Sequence, residues 1–213
     1  TLSWVTITEG NDDLIVATRK GMAIRFNEND VRAVGRAARG VKAIELDEGD
    51  CIVGMAKVRE DAYILTVSET GNGRLSPIED YRLQRRGGKG LTNYHTEKNG
   101  DVAALQMVDL NDDLILISDD GIIIRIKAEE IRICARPGKG VRVMRTGDDV
   151  SITNFTVVKK TEEDEEMTEI PEGENTENTD NSETAETTDD VENTESTTDT
   201  KPTEQSNTSQ TTN

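Results

Sequence analysis

Short apolar runs alternate with glycine-centred turns through the first 160 residues. The run at residues 14–17 is followed by Arg19-Lys20-Gly21 and a second run at residues 22–26. Two apolar runs around a glycine turn predict a β-hairpin. Residues 41–46 alternate apolar and polar side chains, as a half-buried strand does. Glu48-Gly49-Asp50 then turns the chain, and residues 52–58 form a fourth run. The same order returns twice. Residues 63–67, a turn at 71–73 and a weaker run around 74–78 open the second copy, which closes with Asn99-Gly100-Asp101 and residues 102–108. Residues 114–117, a turn at 119–121 and residues 122–126 open the third, which closes with residues 141–144, Gly147-Asp148 and residues 152–158. The runs are too short and too β-branched for helices.

The expected fold is therefore all-β. Three four-stranded units, at residues 12–58, 61–108 and 112–158, repeat with a period near 50. Small sheets repeated at that spacing mark a propeller-like array. One such sheet cannot bury both faces alone, whereas stacked sheets can. Three blades would fill half of a six-bladed ring. Residues 1–11 read as the end of a preceding blade or a linker, with a last strand from Trp4 and Trp4 as a core or edge aromatic.

Between the second and third run of every unit lies a basic window. Residues 31–42 read VRAVGRAARGVK, residues 81–92 YRLQRRGGKGLT, and residues 131–142 IRICARPGKGVR. Arg32, Arg82 and Arg132 fall in register, as do Arg36, Arg86 and Arg136, then Arg39, Lys89 and Lys139, then Gly40, Gly90 and Gly140. Each window holds four basic residues and no acidic one. Lys42, Arg85 and Arg142 complete the sets. Three evenly spaced basic loops call for a polyanion long enough to reach all of them. Arginine offers forked donors to phosphate, lysine a point charge, and glycine a bare backbone amide. The stretch from Arg85 to Gly90, with Gly87 and Gly88 inside it, supplies all three. Asn and Gln are nearly absent from the loops, Gln84 excepted, so sequence-tolerant backbone contact is expected. Tyr81 is the one aromatic in the loops, which argues for duplex rather than single-stranded nucleic acid.

The formal charge of −18 hides this arrangement. Residues 161–213 carry 18 acidic groups and one basic group, while residues 1–160 hold 25 acidic and 24 basic groups. Local charge placement, not the average, sets the surface field. The last 53 residues are rich in Thr, Glu, Asn, Ser and Asp and are expected to form a disordered acidic tail. Such a tail solubilises the chain or competes with a polyanion for the loops. Cys51 and Cys134 lack the spacing of a metal site or redox motif and read as reduced thiols. No run approaches the ~20 apolar residues of a membrane span. There is no signal-peptide pattern, and the chain opens on Thr1, which reads as a piece of a longer protein.

At QRRGGKG, residues 84–90, the sequence resembles the C-terminal domain of the DNA gyrase A subunit, whose signature heptapeptide is the gyrase A box. The repeats resemble that domain's blades, including RKGMAIRFNENDVRAVGRAARGVKAI in the first unit and ARPGKGVRVMRT in the third. The resemblance covers residues 12–158 and extends to the acidic tail. It implies a six-bladed β-pinwheel that wraps duplex DNA around its rim for an ATP-dependent type II topoisomerase introducing negative supercoils. These units would be its last three blades. The family's box belongs to its first blade, so residues 84–90 read as a box-like copy in the fifth. The implied partners are duplex DNA, the gyrase B subunit and a second A subunit in an A2B2 assembly. The implied place is the bacterial cytoplasm, in association with the nucleoid, with no membrane. ATP and Mg2+ would act in other parts of that enzyme, and no cofactor or metal is expected on these residues.

Candidate DNA contacts are thus Arg32, Arg36, Arg39, Lys42, Arg82, Gln84, Arg85, Arg86, Gly87, Gly88, Lys89, Gly90, Arg132, Arg136, Lys139 and Arg142. No catalytic set is expected. Tyr63, Tyr81 and Tyr94 lack the context of the family's catalytic tyrosine, with Tyr63 read as a strand residue and Tyr81 as a loop anchor. His95, the sole histidine, has no nucleophile pattern around it. Asp12-Asp13, Asp112-Asp113 and Asp119-Asp120 fit no calcium loop and read as solubilising strand ends. The alternatives are the equivalent domain of the topoisomerase IV A-type subunit, whose blades usually lack an intact box, and a propeller-type scaffold offering its basic rim to acidic proteins. An autonomous enzyme stands a distant third.

Overall fold

A computed structural model describes residues 2–147 and 149–159. The expected acidic tail, residues 161–213, lies outside the described residues. The strands are β1 (Asp13–Thr18), β2 (Met22–Asn27), β3 (Ile52–Lys57), β4 (Tyr63–Ser68), β5 (Asn72–Pro77), β6 (Leu91–Thr92), β7 (Val102–Val108), β8 (Asp113–Ser118), β9 (Ile123–Lys127), β10 (Val141–Arg142) and β11 (Ile152–Val158). Among the described residues one short α-helix, α1 (Thr96–Asn99), lies between β6 and β7, and single 3-10 turns follow β2, β5 and β9; none is expected from the sequence pattern. Every predicted hairpin forms, antiparallel and in the register set by its glycine turn: Ala17 faces Ala23, Val67 faces Gly73, and Ile117 faces Ile123.

The three sheets differ from three self-contained four-stranded blades. Sheet one runs β3-β1-β2-β6, sheet two β10-β5-β4-β7, and sheet three β11-β8-β9. The fourth strand of sheet one comes from the second repeat, and that of sheet two from the third. Met22 pairs with Thr92, and Asn72 pairs with Arg142. The third sheet has three strands among the described residues. For the same reason residues 41–46, expected as a strand, form none: the hairpin such a segment pairs with belongs to the preceding repeat, and none is described before the first. The last strand expected from Trp4 is absent too. Residues 2–9 carry no strand, and Trp4, 40% exposed, lies along an apolar groove with Leu14, Val16, Ile52 and Met55.

Period-two alternation sends neighbouring side chains to opposite faces, so sheet two packs against a neighbour on each side. Ile15 and Ala17 of β1 meet Ile64, Leu105 and Met107 between sheets one and two. Leu65, Val67 and Leu75 meet Leu114, Leu116 and Phe155 between sheets two and three. Burial of each large apolar side chain stabilises by roughly 1.5–3 kcal/mol, and it is available only when sheets stack. Repeats are further locked at the hairpin turns. The Gly21 carbonyl accepts from the amides of Asn93 (2.7 Å) and Tyr94 (3.0 Å), and the Gly71 carbonyl from those of Val143 (2.9 Å) and Met144 (3.2 Å).

The aspartates read as solubilising strand ends have partners. Asp13 takes Arg25 (Nε to Oδ2, 2.8 Å) and the Asn27 side chain, and Asp113 pairs with Arg125. The middle repeat has Tyr63 and Leu75 at those places, so the pair is missing there.

Candidate nucleic-acid interface

The strand exchange decides where the basic loops sit. The second and third loops each enter and leave along the second hairpin strand of the preceding repeat. The Gln84 amide donates to the Arg25 carbonyl (2.8 Å), and the Cys134 amide to the Leu75 carbonyl (2.9 Å). At the far end Leu91–Thr92 pairs with β2, and Val141–Arg142 with β5. The second loop is thereby mounted on sheet one and the third on sheet two. Gly90 and Gly140, both at φ +80°, turn the chain against that sheet. A Cβ on Gly90 would collide with the Ala23 carbonyl oxygen, and one on Gly140 with the Gly73 carbonyl oxygen. Gly40 stands in register with them but has open space around it and no left-handed φ, because no sheet lies beneath the first loop among the described residues.

Most of the candidate residues fall into three groups, and Arg86, Arg136 and Gln84 stand apart from them. Arg82, Arg85, Lys89, Arg132, Lys139 and Arg142 are exposed on the mounted loops. Arg32, Arg36, Arg39 and Lys42 are exposed on the first loop, where every residue from 31 to 40 faces solvent. Gly87, Gly88 and Gly90 are half-buried within the second loop. Loops two and three therefore bring three exposed cations each to one edge of the stack, with no carboxylate inside either loop.

Arg86 and Arg136 depart from the expected role. Each lays its guanidinium back over the preceding repeat. Arg86 Nε donates to the Asp30 carbonyl (2.7 Å) and its Nη1 to the Lys42 carbonyl (3.0 Å). Arg136 Nε donates to the Asp80 carbonyl (2.6 Å) and its Nη1 to the Thr92 carbonyl (2.9 Å). Both fork onto the same two backbone points of successive repeats and so act as clasps between them. Gln84 also departs: its Nε2 is buried with no hydrogen-bond partner among the described residues, so that donor is turned away from a surface ligand.

Beneath the third loop lies a polar interior not anticipated from the sequence. Arg74 is fully buried, and no carboxylate lies within ion-pair distance among the described residues. Its Nε donates to Ser76 Oγ (2.8 Å), Nη1 to the Gly138 carbonyl (2.8 Å), and Nη2 to the Asn93 carbonyl (2.6 Å) and Oδ1 (2.8 Å). Tyr81, the expected loop anchor, is buried and gives its hydroxyl to Asn93 Oδ1 (2.6 Å). Tyr94 places its ring 5.7 Å from the Arg74 guanidinium carbon and gives its hydroxyl to the Lys139 carbonyl (3.2 Å). Burial pushes both phenols above their ordinary pKa, so they stay protonated donors at neutral pH. The signal was present in the sequence: the stripe Met22, Ile24, Phe26 becomes Asn72, Arg74, Ser76 in register.

Cys51 and Cys134 are free thiols, and His95 is exposed. No group of three or more potential metal ligands occurs among the described residues. No helix of the described residues is long and apolar enough to cross a membrane.

Comparison with known proteins adds to this geometry. The family model of the DNA gyrase C-terminal domain, β-propeller, matches residues 12–59, 62–109 and 112–159. The DNA gyrase A subunit of Haloquadratum walsbyi is 42% identical over 162 residues, covering 75% of this chain and 19% of that protein. That of Staphylococcus epidermidis is 40% identical over 163 residues, 75% of this chain and 18% of that protein. The chain thus spans about a fifth of the length of these relatives. A solved DNA gyrase A C-terminal domain superposes with a TM-score of 0.64 at 29% identity, covering 69% of this chain and 50% of that one. The C-terminal domain of a DNA topoisomerase IV superposes with a TM-score of 0.67 at 24% identity, covering 71% and 48%, a likeness of fold.

Proposed function

This chain belongs to the DNA gyrase C-terminal domain family, and we propose that it binds duplex DNA along its loop-bearing edge and bends it around the stack. The observation that carries this reading is the mounting of two acid-free loops, with Arg82, Arg85 and Lys89 on one and Arg132, Lys139 and Arg142 on the next, upon successive sheets. Arg32, Arg36, Arg39 and Lys42 extend the track. Duplex DNA carries one negative charge per ~1.7 Å of axis, and cations bind it by releasing counterions. Bending a short duplex costs roughly 1–6 kcal/mol, so contacts on several loops in sequence are needed to offset it. Gly87, Gly88 and Gly90 let the backbone approach phosphate, while Arg86 and Arg136 hold the loops in shape.

Within the intact enzyme this module serves an ATP-dependent type II topoisomerase that introduces negative supercoils. It acts beside a second A subunit and the gyrase B subunit in the bacterial cytoplasm, in contact with the nucleoid. Cleavage chemistry, ATP and Mg2+ belong to other parts of that assembly. The QRRGGKG text favours gyrase over topoisomerase IV.

Sealing a nicked plasmid in the presence of the chain tests the reading. A duplex bent around the rim shifts the linking-number distribution after deproteinisation, and Arg85→Ala with Lys89→Ala and Lys139→Ala reduces the shift. An unshifted distribution with the unaltered chain at saturating concentration contradicts it.

A further inference from the structure

The buried network under the third loop has a consequence for its outer surface. The Gly138 carbonyl points inward to Arg74, a side chain with no exposure, and the Lys139 carbonyl points inward to the hydroxyl of buried Tyr94. In a trans peptide the carbonyl and the following N–H point in opposite directions. The amides of Lys139 and Gly140 are therefore turned outward, and neither has a hydrogen-bond partner among the described residues. Consecutive outward amides form a concave donor site for an anion. The Lys139 side chain is exposed beside them.

We propose that Lys139 and Gly140 form a backbone cradle for one phosphate of the duplex, and that Arg74 and Tyr94 are positioning residues that hold it open. The inference rests on the reading of this edge as a duplex surface. Arg74 suits the task because its planar fork spans Ser76, Gly138 and Asn93 at once. A lysine retains the charge but not the fork. The second loop is held by other means. There the Gly88 carbonyl accepts from the Glu45 amide (2.9 Å) and the Gly87 amide donates to the Ala43 carbonyl (2.6 Å). Ile24 and Ile44 stand in register with Arg74 and Tyr94. The second loop is thus an internal control within the same molecule.

The test is an amide-resolved NMR titration of the full chain with a short blunt-ended duplex, for the unaltered protein, Arg74→Lys and Tyr94→Phe. In the unaltered protein the amides of Lys139, Gly140, Lys89 and Gly90 shift on binding. In Arg74→Lys the shifts at Lys139 and Gly140 disappear, those at Lys89 and Gly90 persist, and the log–log salt slope becomes shallower by about 0.9, one phosphate. In Tyr94→Phe the shift at Gly140 falls and that at Lys139 persists. Unchanged shifts at Lys139 and Gly140 in folded Arg74→Lys overturn the proposal. If that variant does not fold, an unchanged Gly140 shift in Tyr94→Phe overturns it instead. Duplex binding by the unaltered chain with shifts confined to the second loop defeats the cradle and leaves the duplex reading standing. No salt-dependent binding at all defeats both.

Discussion

Arg136 lies over the ring of Tyr81, its guanidinium carbon 5.8 Å from the centroid, while its Nε donates to the carbonyl of Asp80 next door. A cation chosen from the sequence as a DNA contact is thus engaged with the preceding repeat. Its loss removes two charged hydrogen bonds to backbone and a cation–π contact. Arg136→Ala is expected to destabilise the fold by about 2 kcal/mol. Arg85→Ala, on an exposed residue with no such contacts, should change stability by less than ~0.5 kcal/mol. Urea midpoints of the two variants check this, and equal midpoints would contradict the division of roles.

The exposed cations have the complementary signature. Lys89→Ala and Lys139→Ala should leave the urea midpoint in place and weaken duplex binding evenly across sequences. Each should reduce the log–log salt slope by about 0.9. Competition among duplexes of different sequence, repeated at several salt concentrations, measures both. A change in sequence preference would point instead to contacts with base edges.

Sheet contact beneath a loop should also appear in its glycine. Gly140→Ala meets a left-handed φ and the Gly73 carbonyl together, and is expected to cost about 1–3 kcal/mol. Gly40→Ala, in register but with open space and no left-handed φ, should stay within ~0.5 kcal/mol. Thermal unfolding of the pair distinguishes them, and a similar loss in both would deny the mounting of the third loop on sheet two.

Acid should loosen the ion pairs that Asp109, after the second repeat, makes with Arg59 after the first and Lys159 after the third. Burial raises the pKa of Asp109, but Arg59 and Lys159 outweigh it and hold the carboxyl below its ordinary range. A folded pKa below the unfolded one contributes stability above the unfolded value, and that stability is lost as pH falls through the folded pKa. The carboxylate is 32% exposed, which limits the contribution to about 0.2–1 kcal/mol. Urea unfolding at a series of pH values from about 7 to about 3 should show Asp109→Asn less stable than the unaltered chain at the highest, with the deficit shrinking as pH falls. An equal deficit across the series would remove the carboxylate as the cause.

Hairpins and repeats were legible because both are local. Gly21 and Gly71 mark turns between runs that alternate with period two, and the basic windows return at a fixed spacing. Strand exchange was not legible. Leu91–Thr92 has the same apolar–polar text whether it pairs within its own repeat or with Met22 of the one before, and only packing between sheets decides. Arg85 and Arg86 are neighbours with identical chemistry. One faces solvent and the other clasps the Asp30 and Lys42 carbonyls, a distinction made by the fold of another repeat. Arg74 was readable in principle, since its counterpart in the preceding repeat is Ile24, but a polar residue in a strand reads first as an exposed one.

The most direct test of a duplex track on the mounted loops is duplex affinity against salt for the unaltered chain beside Arg85→Ala, Lys89→Ala and Lys139→Ala combined. The account predicts a steep log–log slope that becomes shallower by about 2–3 in the triple variant, at an unchanged unfolding midpoint. An identical slope in the two proteins would place the polyanion elsewhere and contradict it.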